Sequence, residues 1–278
     1  MTARSICGLD LGISVTDAVA GWAPETAVSF ATRSESEPAD AAIERLLRAA
    51  PLVDGELQIA ATGVGSLRLP AHFRGAAVSR VDEHVAVGIG GTRLAERREA
   101  LVVSIGTGTA IVSVRGDEIR PVFPGTGIGG GTLVGLAKAL LGSDDLSELA
   151  RLAAAGDRSR VDITIGEAVG GSLGALPAEA TASHFAKYRS DLSQEDVAAS
   201  LANLVAGGVL AATLLAMQAT GQREAIFVGR VASFAPVAER LLEVSAALGD
   251  VLVIPPRAET ATALGALWRL ADIDGRSA

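Results

Sequence analysis

One pattern occurs twice in this chain, and it restricts the possible fold more than any other feature of the sequence. ICGLDLGISVTDAV, which contains Asp10, and LVVSIGTGTAIVSV, which contains Gly106, each run from an apolar strand through a glycine turn into a second apolar strand. Helical patterns follow both copies, and about the length of one small domain separates them. We therefore expect two related α/β halves that face each other across a cleft. Two unrelated hairpins would produce the same short match by coincidence.

The size and composition agree with a protein of two such halves. The chain has 278 residues, of which 49% are hydrophobic and 20% are charged, so a sizeable core can be buried. Because the strand pattern restarts at Leu101, we predict an N-terminal domain over 1–98 and a C-terminal domain over 99–278. The final helical pattern, from Ala261 to Leu270, is a candidate to pack back on the first domain.

Local signals predict several helices between the strands. Asp40 is a candidate N-cap for a helix whose apolar face includes Leu46 and Leu47. Further helices are predicted from Val81 towards Arg93 and over residues 179–188.

The charge balance excludes one large class of function. The chain carries 24 basic and 32 acidic residues, a formal net charge of −8, and only 3% aromatic residues. A nucleic-acid-binding protein needs a basic surface for phosphates, and often aromatic side chains for stacking, so we expect no nucleic-acid partner. A small anionic ligand remains compatible with this charge, because a few backbone amides can bind it locally.

Cysteine and histidine usage indicates a reducing compartment and no zinc site. Cys7 is the only cysteine, which excludes an intrachain disulfide and a cysteine-rich zinc site, and the three histidines are scattered. Asp10 interrupts the N-terminal apolar stretch too early for a signal peptide. These features predict a cytoplasmic protein.

The residues from Val197 to Gln222 contain no charged side chain and are long enough to span a bilayer. The segment is rich in Ala and Gly, contains Asn203 and Thr213, and lacks an aromatic belt and a cluster of basic residues at its flanks. This composition favours a helix buried at a domain or dimer interface over a membrane span.

Four glycine-rich stretches could together form a phosphate cradle. They begin at Asp10, Gly106, Gly125 and Val228. Glycine lets backbone amides approach an anion closely, and the third stretch precedes a helix whose first amides are unpaired. Hairpin turns also need glycine, which is the alternative explanation for any single stretch. The third stretch matches the dinucleotide pattern G-x-G-x-x-G only weakly, and no Walker-type motif is present.

Two acidic positions are candidates for chemistry. Asp10 ends an apolar strand just before a glycine turn, where a carboxylate needs a cation or several donors, and Mg²⁺ is one such cation. Alternatively, Asp10 caps its own turn. Glu83 begins a predicted helix, where it could accept a proton from a substrate hydroxyl or serve only as a helix-terminal charge.

Taken together, these stretches resemble the type II (eukaryotic-like) pantothenate kinases, within the actin-like ATPase and sugar-kinase superfamily. GLDLGISV is similar to the first phosphate motif, IAATGVGS to the ATGGG turn, and RVDEHVA to the stretch with the catalytic glutamate. VVSIGTGTAI is similar to the second phosphate motif and GTGIGGGTLVGLAKALLG to the nucleotide segment. The resemblance covers nearly the whole chain.

This resemblance implies two ribonuclease-H-like domains with mixed sheets, an active site in the cleft, a homodimer, and ATP with Mg²⁺ as the nucleotide and metal. It implies that Asp10 positions the metal and that Glu83 is the general base. The backbones implied to hold phosphates belong to Gly12, Ser14, Gly106, Thr107 and Gly108. The residues implied to line the nucleotide are Gly129, Gly130, Gly131 and Gly229.

The chain departs from the family pattern on the acceptor side. Asp17 stands where a lysine is usual, and Val122 stands where the family has an arginine for the pantothenate carboxylate. Arg120 and Thr126 are the candidate substrate contacts in its place. The resemblance implies phosphorylation of pantothenate at the start of coenzyme A synthesis. The alternatives are a kinase with a remodelled acceptor pocket and a non-catalytic nucleotide-binding regulator.

Overall fold

The computed structural model describes residues 4–21, 23–34, 41, 43–44, 48, 56–73, 75–174, 176–249 and 251–276. Most of the helix predicted to begin at Asp40, including Leu46 and Leu47, lies outside these residues. Ile43, which belongs to the same segment, is buried.

The first half of the chain forms a mixed sheet of six strands in the order β3-β2-β1-β4-β6-β5. Strands β1, β2 and β3 pair antiparallel, and β4 and β6 extend the sheet parallel to β1. Side chains such as Leu9 and Val19 are fully buried on opposite faces, as expected for a sheet that is covered on both sides. The strands are β1 (Arg4–Leu11), β2 (Val15–Gly21), β3 (Val28–Arg33), β4 (Glu56–Thr62), β5 (His72–Phe73) and β6 (Ala76–Arg80).

The second half repeats this wiring in a five-stranded sheet. Its order is β13-β12-β7-β8-β9, with β7, β8 and β9 antiparallel and β12 and β13 parallel to β7. This is the order of the five strands β6-β4-β1-β2-β3, so the duplication predicted from the two hairpins is confirmed. The strands are β7 (Glu99–Ile105), β8 (Thr109–Arg115), β9 (Glu118–Thr126), β12 (Ala225–Val228) and β13 (Leu252–Val253).

Two helices lie between the sheets and exchange partners. Helix α1 (Glu83–Leu94) packs on the second sheet, and the last helix, α7 (Ala261–Arg276), packs on β1 and β4 of the first. The two helices cross closely, because a Cβ at Gly265 would overlap the carbonyl oxygen of Ala86. The C-terminal helix therefore does contact the first half of the chain.

The other face of the second sheet is covered by α2 (Gly130–Leu141), α3 (Leu146–Ala155), α5 (Gln194–Thr220) and α6 (Ala235–Ala247). Among the described residues, α5 alone is long and apolar enough to cross a membrane, yet 61% of its most apolar window is buried in the protein. The helix was expected to be buried, and it is. However, its core side chains pack inside the second half of the chain and not between the two halves.

The segment between α3 and α5 contains a short helix, α4 (Ile165–Val169), and a two-stranded pair formed by β10 (Ile163–Thr164) and β11 (Thr181–Ser183). The helix predicted over residues 179–188 is wrong. Tertiary hydrogen bonds hold this segment instead: the Phe185 amide donates to Asp162 at 2.9 Å and the Lys187 amide to the Val161 carbonyl at 2.8 Å. These bonds override a local preference for helix.

Candidate active site

The two glycine turns of the repeated pattern meet. The Ser14 hydroxyl, in the turn after β1, lies 3.0 Å from the Thr107 hydroxyl, in the turn after β7. Gly12, Gly106 and Gly108 belong to the same two turns, so the five residues implied to hold phosphates are brought together. The Ser14–Thr107 hydrogen bond is exposed to solvent, as a loop that meets a ligand must be.

The glycine-rich segment at the start of α2 docks beneath the second turn. The Gly130 amide donates to the Gly106 carbonyl at 2.8 Å, and the Gly131 amide donates to the Thr107 carbonyl at 2.9 Å. A Cβ at Gly129 would lie 2.8 Å from the Thr107 oxygen. The first amides of α2 thus find their hydrogen-bond acceptors in the second glycine turn. The backbones of the helix and the turn lie so close that a side chain would not fit between them, which explains the glycines.

Gly229 is held against the end of β7. Its φ is +92°, its amide donates to the Ala258 carbonyl at 2.8 Å, and a Cβ would lie 2.6 Å from the Ile105 oxygen. Because Ile105 directly precedes Gly106, the turn after β12 and the second glycine turn lie side by side.

Thr126 is engaged within its own turn. Its hydroxyl donates to the Ile128 carbonyl at 3.1 Å and lies 3.0 Å from the Ile128 amide. The Thr109 hydroxyl donates to the same carbonyl at 2.8 Å. These bonds order the loop that leads into α2.

Asp10 is the acidic centre of the first sheet. It pairs in register with Asp17 on β2 and with Thr62 on β4. A Cβ at Gly63 would lie 2.7 Å from an Asp10 carboxylate oxygen, so the glycine after β4 makes room for this side chain. Burial, together with the negative charges of Glu83 and Asp17, raises the pKa of Asp10 to about 7, although the positive charge of Arg230 opposes the rise.

Asp17 is not the uncompensated charge that its position suggested. The Arg230 guanidinium pairs with both Asp17 oxygens, with Nε 3.1 Å from Oδ2 and Nη2 in contact with Oδ1. Burial raises the pKa of Asp17, and this bidentate pair opposes the rise. The pair joins β2 of the first sheet to the turn after β12 of the second.

Glu83 is the first residue of α1 and is exposed. The N-cap is Asp82, whose carboxylate accepts the amides of His84 at 2.9 Å and Val85 at 3.4 Å. No hydrogen bond or ion pair occupies the Glu83 carboxylate within the part of the chain that the structure describes. Asp82 therefore caps the helix, and the Glu83 carboxylate is not needed for capping. The negative charge of Glu83 contributes to raising the pKa of Asp10.

Arg120 lies on β9 opposite Ser113 and pairs with Glu118, with 77% of its side-chain surface exposed. Strand β9 carries an extra residue at Val122, because Ile111 pairs with Phe123 while Val112 pairs with Pro121. Val122 packs on the core of the second half. Neither residue leaves an uncompensated cation for a substrate carboxylate.

Sequence reasoning missed two residues at this site. The Thr62 hydroxyl is buried beside Asp10 and has no hydrogen-bond partner among the described residues. Arg230 follows Gly229 in the fourth glycine-rich stretch, and the signal that could have found its role is the acid at Asp17, which stands where a lysine is usual. Both contacts depend on the register and packing of strands that are distant in the sequence.

The donors around Asp10 fit a magnesium ion. A carboxylate with a raised pKa and an unpartnered buried hydroxyl at Thr62 both lack the positive charge that a hard cation supplies. The described residues contain no group of three or more Asp, Glu, His or Cys side chains arranged to hold a metal. This agrees with a metal held through few protein oxygens, as Mg²⁺ with phosphates usually is.

A family model described as Fumble matches residues 96–247, more than half of the chain. The chain belongs to the Fumble family. The matched region contains the second hairpin, the glycine-rich segment and the turn after β12, whereas Asp10 and Glu83 lie outside it.

Curated members with similar sequences are named as pantothenate kinases. The Type II pantothenate kinase of Bacillus cereus strain G9842 is 35% identical over 136 residues, which cover 48% of this chain and 49% of that protein. The Type II pantothenate kinase of Bacillus anthracis is 35% identical over 133 residues, 46% of this chain and 48% of that protein. Pantothenate kinase 1 of Oryza sativa subsp. japonica is 38% identical over 111 residues, covering 37% of this chain and 16% of that protein. The chain thus spans about half the length of the Bacillus relatives it matches.

Solved structures confirm the predicted fold class. The activator of the 2-hydroxyisocaproyl-CoA dehydratase from Clostridium difficile, with bound ADPNP, has a TM-score of 0.69 at 17% identity and covers 98% of this Fumble-family chain and 96% of its own. The ROK hexokinase from Thermus thermophilus has a TM-score of 0.54 at 18% identity, with coverages of 97% and 99%. At such identities the likeness concerns the fold, two actin-like α/β halves with a cleft between them.

Proposed function

We propose that this Fumble-family protein is an ATP-dependent kinase that phosphorylates the primary hydroxyl of pantothenate. The observation that carries the proposal is the convergence of the two glycine turns, joined by Ser14 and Thr107, with Asp10 and Glu83 near the same cleft. Phosphoryl transfer requires positioning and charge neutralisation more than covalent chemistry, and these are what such a cleft supplies. The names of the matched curated relatives support the choice of acceptor.

In this mechanism the turns at Gly12–Ser14 and Gly106–Gly108 bind the phosphates of ATP through backbone amides and hydroxyls. Asp10, with Thr62 beside it, would hold Mg²⁺, which would supply positive charge to neutralise the phosphates. Glu83 accepts the proton of the substrate hydroxyl while that oxygen forms a bond to the γ-phosphorus and the bond to the ADP oxygen breaks. Gly129, Gly130, Gly131 and Gly229 line the nucleotide with backbone that carries no side chain.

The acceptor end of the cleft favours a second candidate function as well. Arg120 is paired with Glu118, and Val122 packs on the core, so the nearby strand supplies no free cation for a carboxylate. A kinase for a hydroxylated acceptor without a carboxylate is the alternative that this observation supports. With pantothenate as the acceptor, Arg120 must leave Glu118, and Thr126 contacts the substrate from the loop before α2.

The remaining assignments follow from the same proposal. The domains are 1–98 and 99–278, with α7 returning to the first. The protein acts as a homodimer in the cytoplasm and binds neither nucleic acid nor membrane. The acidic charge balance supports the absence of a nucleic-acid partner, and the burial of α5 supports its assignment as a core helix and not a membrane span.

The test is ADP release by the purified protein with Mg-ATP and millimolar pantothenate, run beside Glu83→Gln. The control is Glu96→Gln, an exposed glutamate beyond the opposite end of α1. We expect turnover that falls at least a hundredfold in Glu83→Gln and is unchanged in Glu96→Gln. Turnover only with an acceptor that lacks a carboxylate supports the second candidate. Nucleotide binding without turnover on any acceptor indicates a regulator and overturns both.

A further inference from the structure

The backbone of Arg230 is fixed where three phosphate-site elements meet. Gly229 abuts the Ile105 oxygen, and the Val231 amide donates to that same oxygen at 3.1 Å. On the other side, a Cβ at Gly130 would lie 3.0 Å from a Val231 methyl group. The residue between them therefore starts beside the end of β7 and the beginning of α2.

The Arg230 side chain extends from this point to the first sheet. Its Nε and Nη2 groups pair with the Asp17 carboxylate, whose strand position is opposite Asp10. Arg230 keeps 39% of its side-chain surface exposed, whereas Asp17 keeps 10%. A guanidinium has five N–H donors, and among the described residues only Asp17 accepts from it. Donors thus remain available on the exposed part of the side chain.

The charges around this arginine are otherwise negative. Asp17 and Glu83 act on Asp10, and Glu259 acts on Asp17. The positive charge of Arg230 opposes them at both aspartates. The chain has only two lysines, Lys138 and Lys187, and they pair with Asp144 and Glu167 away from these turns. Neither lysine therefore offers its charge to a polyphosphate at these turns, whereas Arg230 directly follows Gly229 beside the second glycine turn.

We propose that Arg230 contacts the phosphate chain of the bound nucleotide and that Asp17 is a positioning residue that aims its guanidinium. A planar guanidinium held by one carboxylate can present its remaining N–H groups to a phosphate oxygen. The inference rests on the nucleotide site of the proposed function but not on its acceptor. The competing explanation is that the pair is only a strut between the two sheets.

The test is calorimetric titration of the full-length protein with MgADP and with adenosine, comparing Arg230→Gln, Arg230→Lys and Asp17→Asn. Arg97→Gln is the matched control. Arg97 also forms a long-range ion pair, with Glu224 at 2.8 Å, but this pair lies where β7 and β12 begin, at the ends of these strands that are farther from the glycine turns. Thermal unfolding of each variant confirms that it is folded. Arg230→Lys keeps the charge if the glutamine variant is unstable.

We expect Arg230→Gln to weaken MgADP at least tenfold and to leave adenosine within twofold. The slope of log Kd against log salt should fall, and Arg230→Lys should lie between wild type and Arg230→Gln. Asp17→Asn should weaken MgADP, but by less than Arg230→Gln, and leave adenosine within twofold, because the cation stays but no carboxylate holds it in position. Arg97→Gln should match wild type.

Equal weakening of MgADP and adenosine in both Arg230→Gln and Asp17→Asn would overturn the proposal in favour of a strut. A wild-type protein that binds no MgADP would overturn it together with the proposed function. If MgADP binds and depends on Arg230 while pantothenate is not phosphorylated, the proposed function fails and this inference stands.

Discussion

The Ser14 and Thr107 hydroxyls form a hydrogen bond of 3.0 Å across 93 residues of sequence. The two residues occupy turns that correspond in the duplicated topology, each between the first and second strand of its half. The bond therefore joins the two halves at their most ligand-exposed loops. It also places two hydroxyl donors side by side at the mouth of the cleft.

Replacing Ser14 with Ala should separate function from stability at this contact. An exposed hydrogen bond contributes about 1 kcal/mol or less, so the free energy of unfolding should change little. The KM for ATP should rise several-fold, because a phosphate-facing hydroxyl is lost. Steady-state kinetics and urea denaturation measure the two effects. The control is Thr26→Val, which removes an exposed hydroxyl bonded to the Ala23 carbonyl and should alter neither the KM for ATP nor the stability. An unchanged KM in Ser14→Ala, with the same stability loss in both variants, would contradict the phosphate-binding role of Ser14.

Gly229→Ala should be strongly destabilising. The position combines a φ of +92° with a Cβ site 2.6 Å from the Ile105 oxygen, so both strain and overlap oppose the methyl group. We expect a loss of about 2–4 kcal/mol by urea denaturation. Gly116→Ala is the matched control, because its φ of +60° is also positive but its Cβ site is open. The free energy of unfolding of Gly116→Ala should fall by only about 1 kcal/mol. Equal losses in the two variants would show that the backbone around Gly229 shifts to make room for the methyl group.

Asp10→Asn should stabilise the protein at alkaline pH while abolishing Mg-ATP turnover. The pKa of Asp10 is raised to about 7 by burial, so the folded state holds its proton more tightly than the unfolded state. Stability should consequently fall as pH rises from about 4 through 7. Because Asn carries no charge, the free energy of unfolding of Asp10→Asn at pH 8 should exceed that of wild type by on the order of 1–2 kcal/mol.

Urea denaturation at pH 5 and pH 8 measures this difference. Asp117→Asn, in the exposed turn between β8 and β9, should keep the wild-type pH dependence. Mg²⁺ should raise the wild-type melting temperature at pH 8 and leave that of Asp10→Asn unchanged. A variant less stable than wild type at pH 8 would show that the charged form of Asp10 is already compensated.

Asp162→Asn should release the segment that replaced the expected helix. Asp162 is buried and accepts hydrogen bonds from Ser200, from Asn203 at 2.7 Å and from the Phe185 amide at 2.9 Å. Burial raises the pKa of Asp162, but these bonds and the one from His184 outweigh it and hold the pKa below its usual value.

The lowered pKa means that Asp162 stabilises the fold above about pH 4, and this contribution is lost as pH falls further. We expect Asp162→Asn to lose about 1–3 kcal/mol at pH 7 and to be cleaved faster by protease within residues 179–188. Asp191→Asn, at an exposed site that pairs with nearby Arg189, should resist cleavage like wild type. Unchanged protection in Asp162→Asn would show that the strand pair alone holds the segment.

Strand and turn placement was largely accessible from the sequence. The β1–β2 and β7–β8 hairpins follow from apolar runs broken by glycine, and α1 begins within two residues of its predicted start because Asp82 caps it. The expected helix over residues 179–188 is absent, because a hydrogen bond from the Phe185 amide to Asp162 holds the segment in another conformation. Asp162 is 23 residues away in the sequence, so local helix propensity does not reveal this bond. The core position of α5 was likewise expected, but its partners were not.

The sequence alone indicated two copies of one α/β unit, each with a glycine turn after its first strand, and an acid, Asp10, just before that turn in the first copy. These features arise from local periodicity and backbone freedom, which neighbouring residues encode. Only the tertiary structure decided that Arg230 neutralises Asp17, that Thr62 is left without a partner beside Asp10, and that α1 and α7 exchange sheets. Such contacts depend on strand register and on the packing of segments up to 213 residues apart, so no local pattern specifies them.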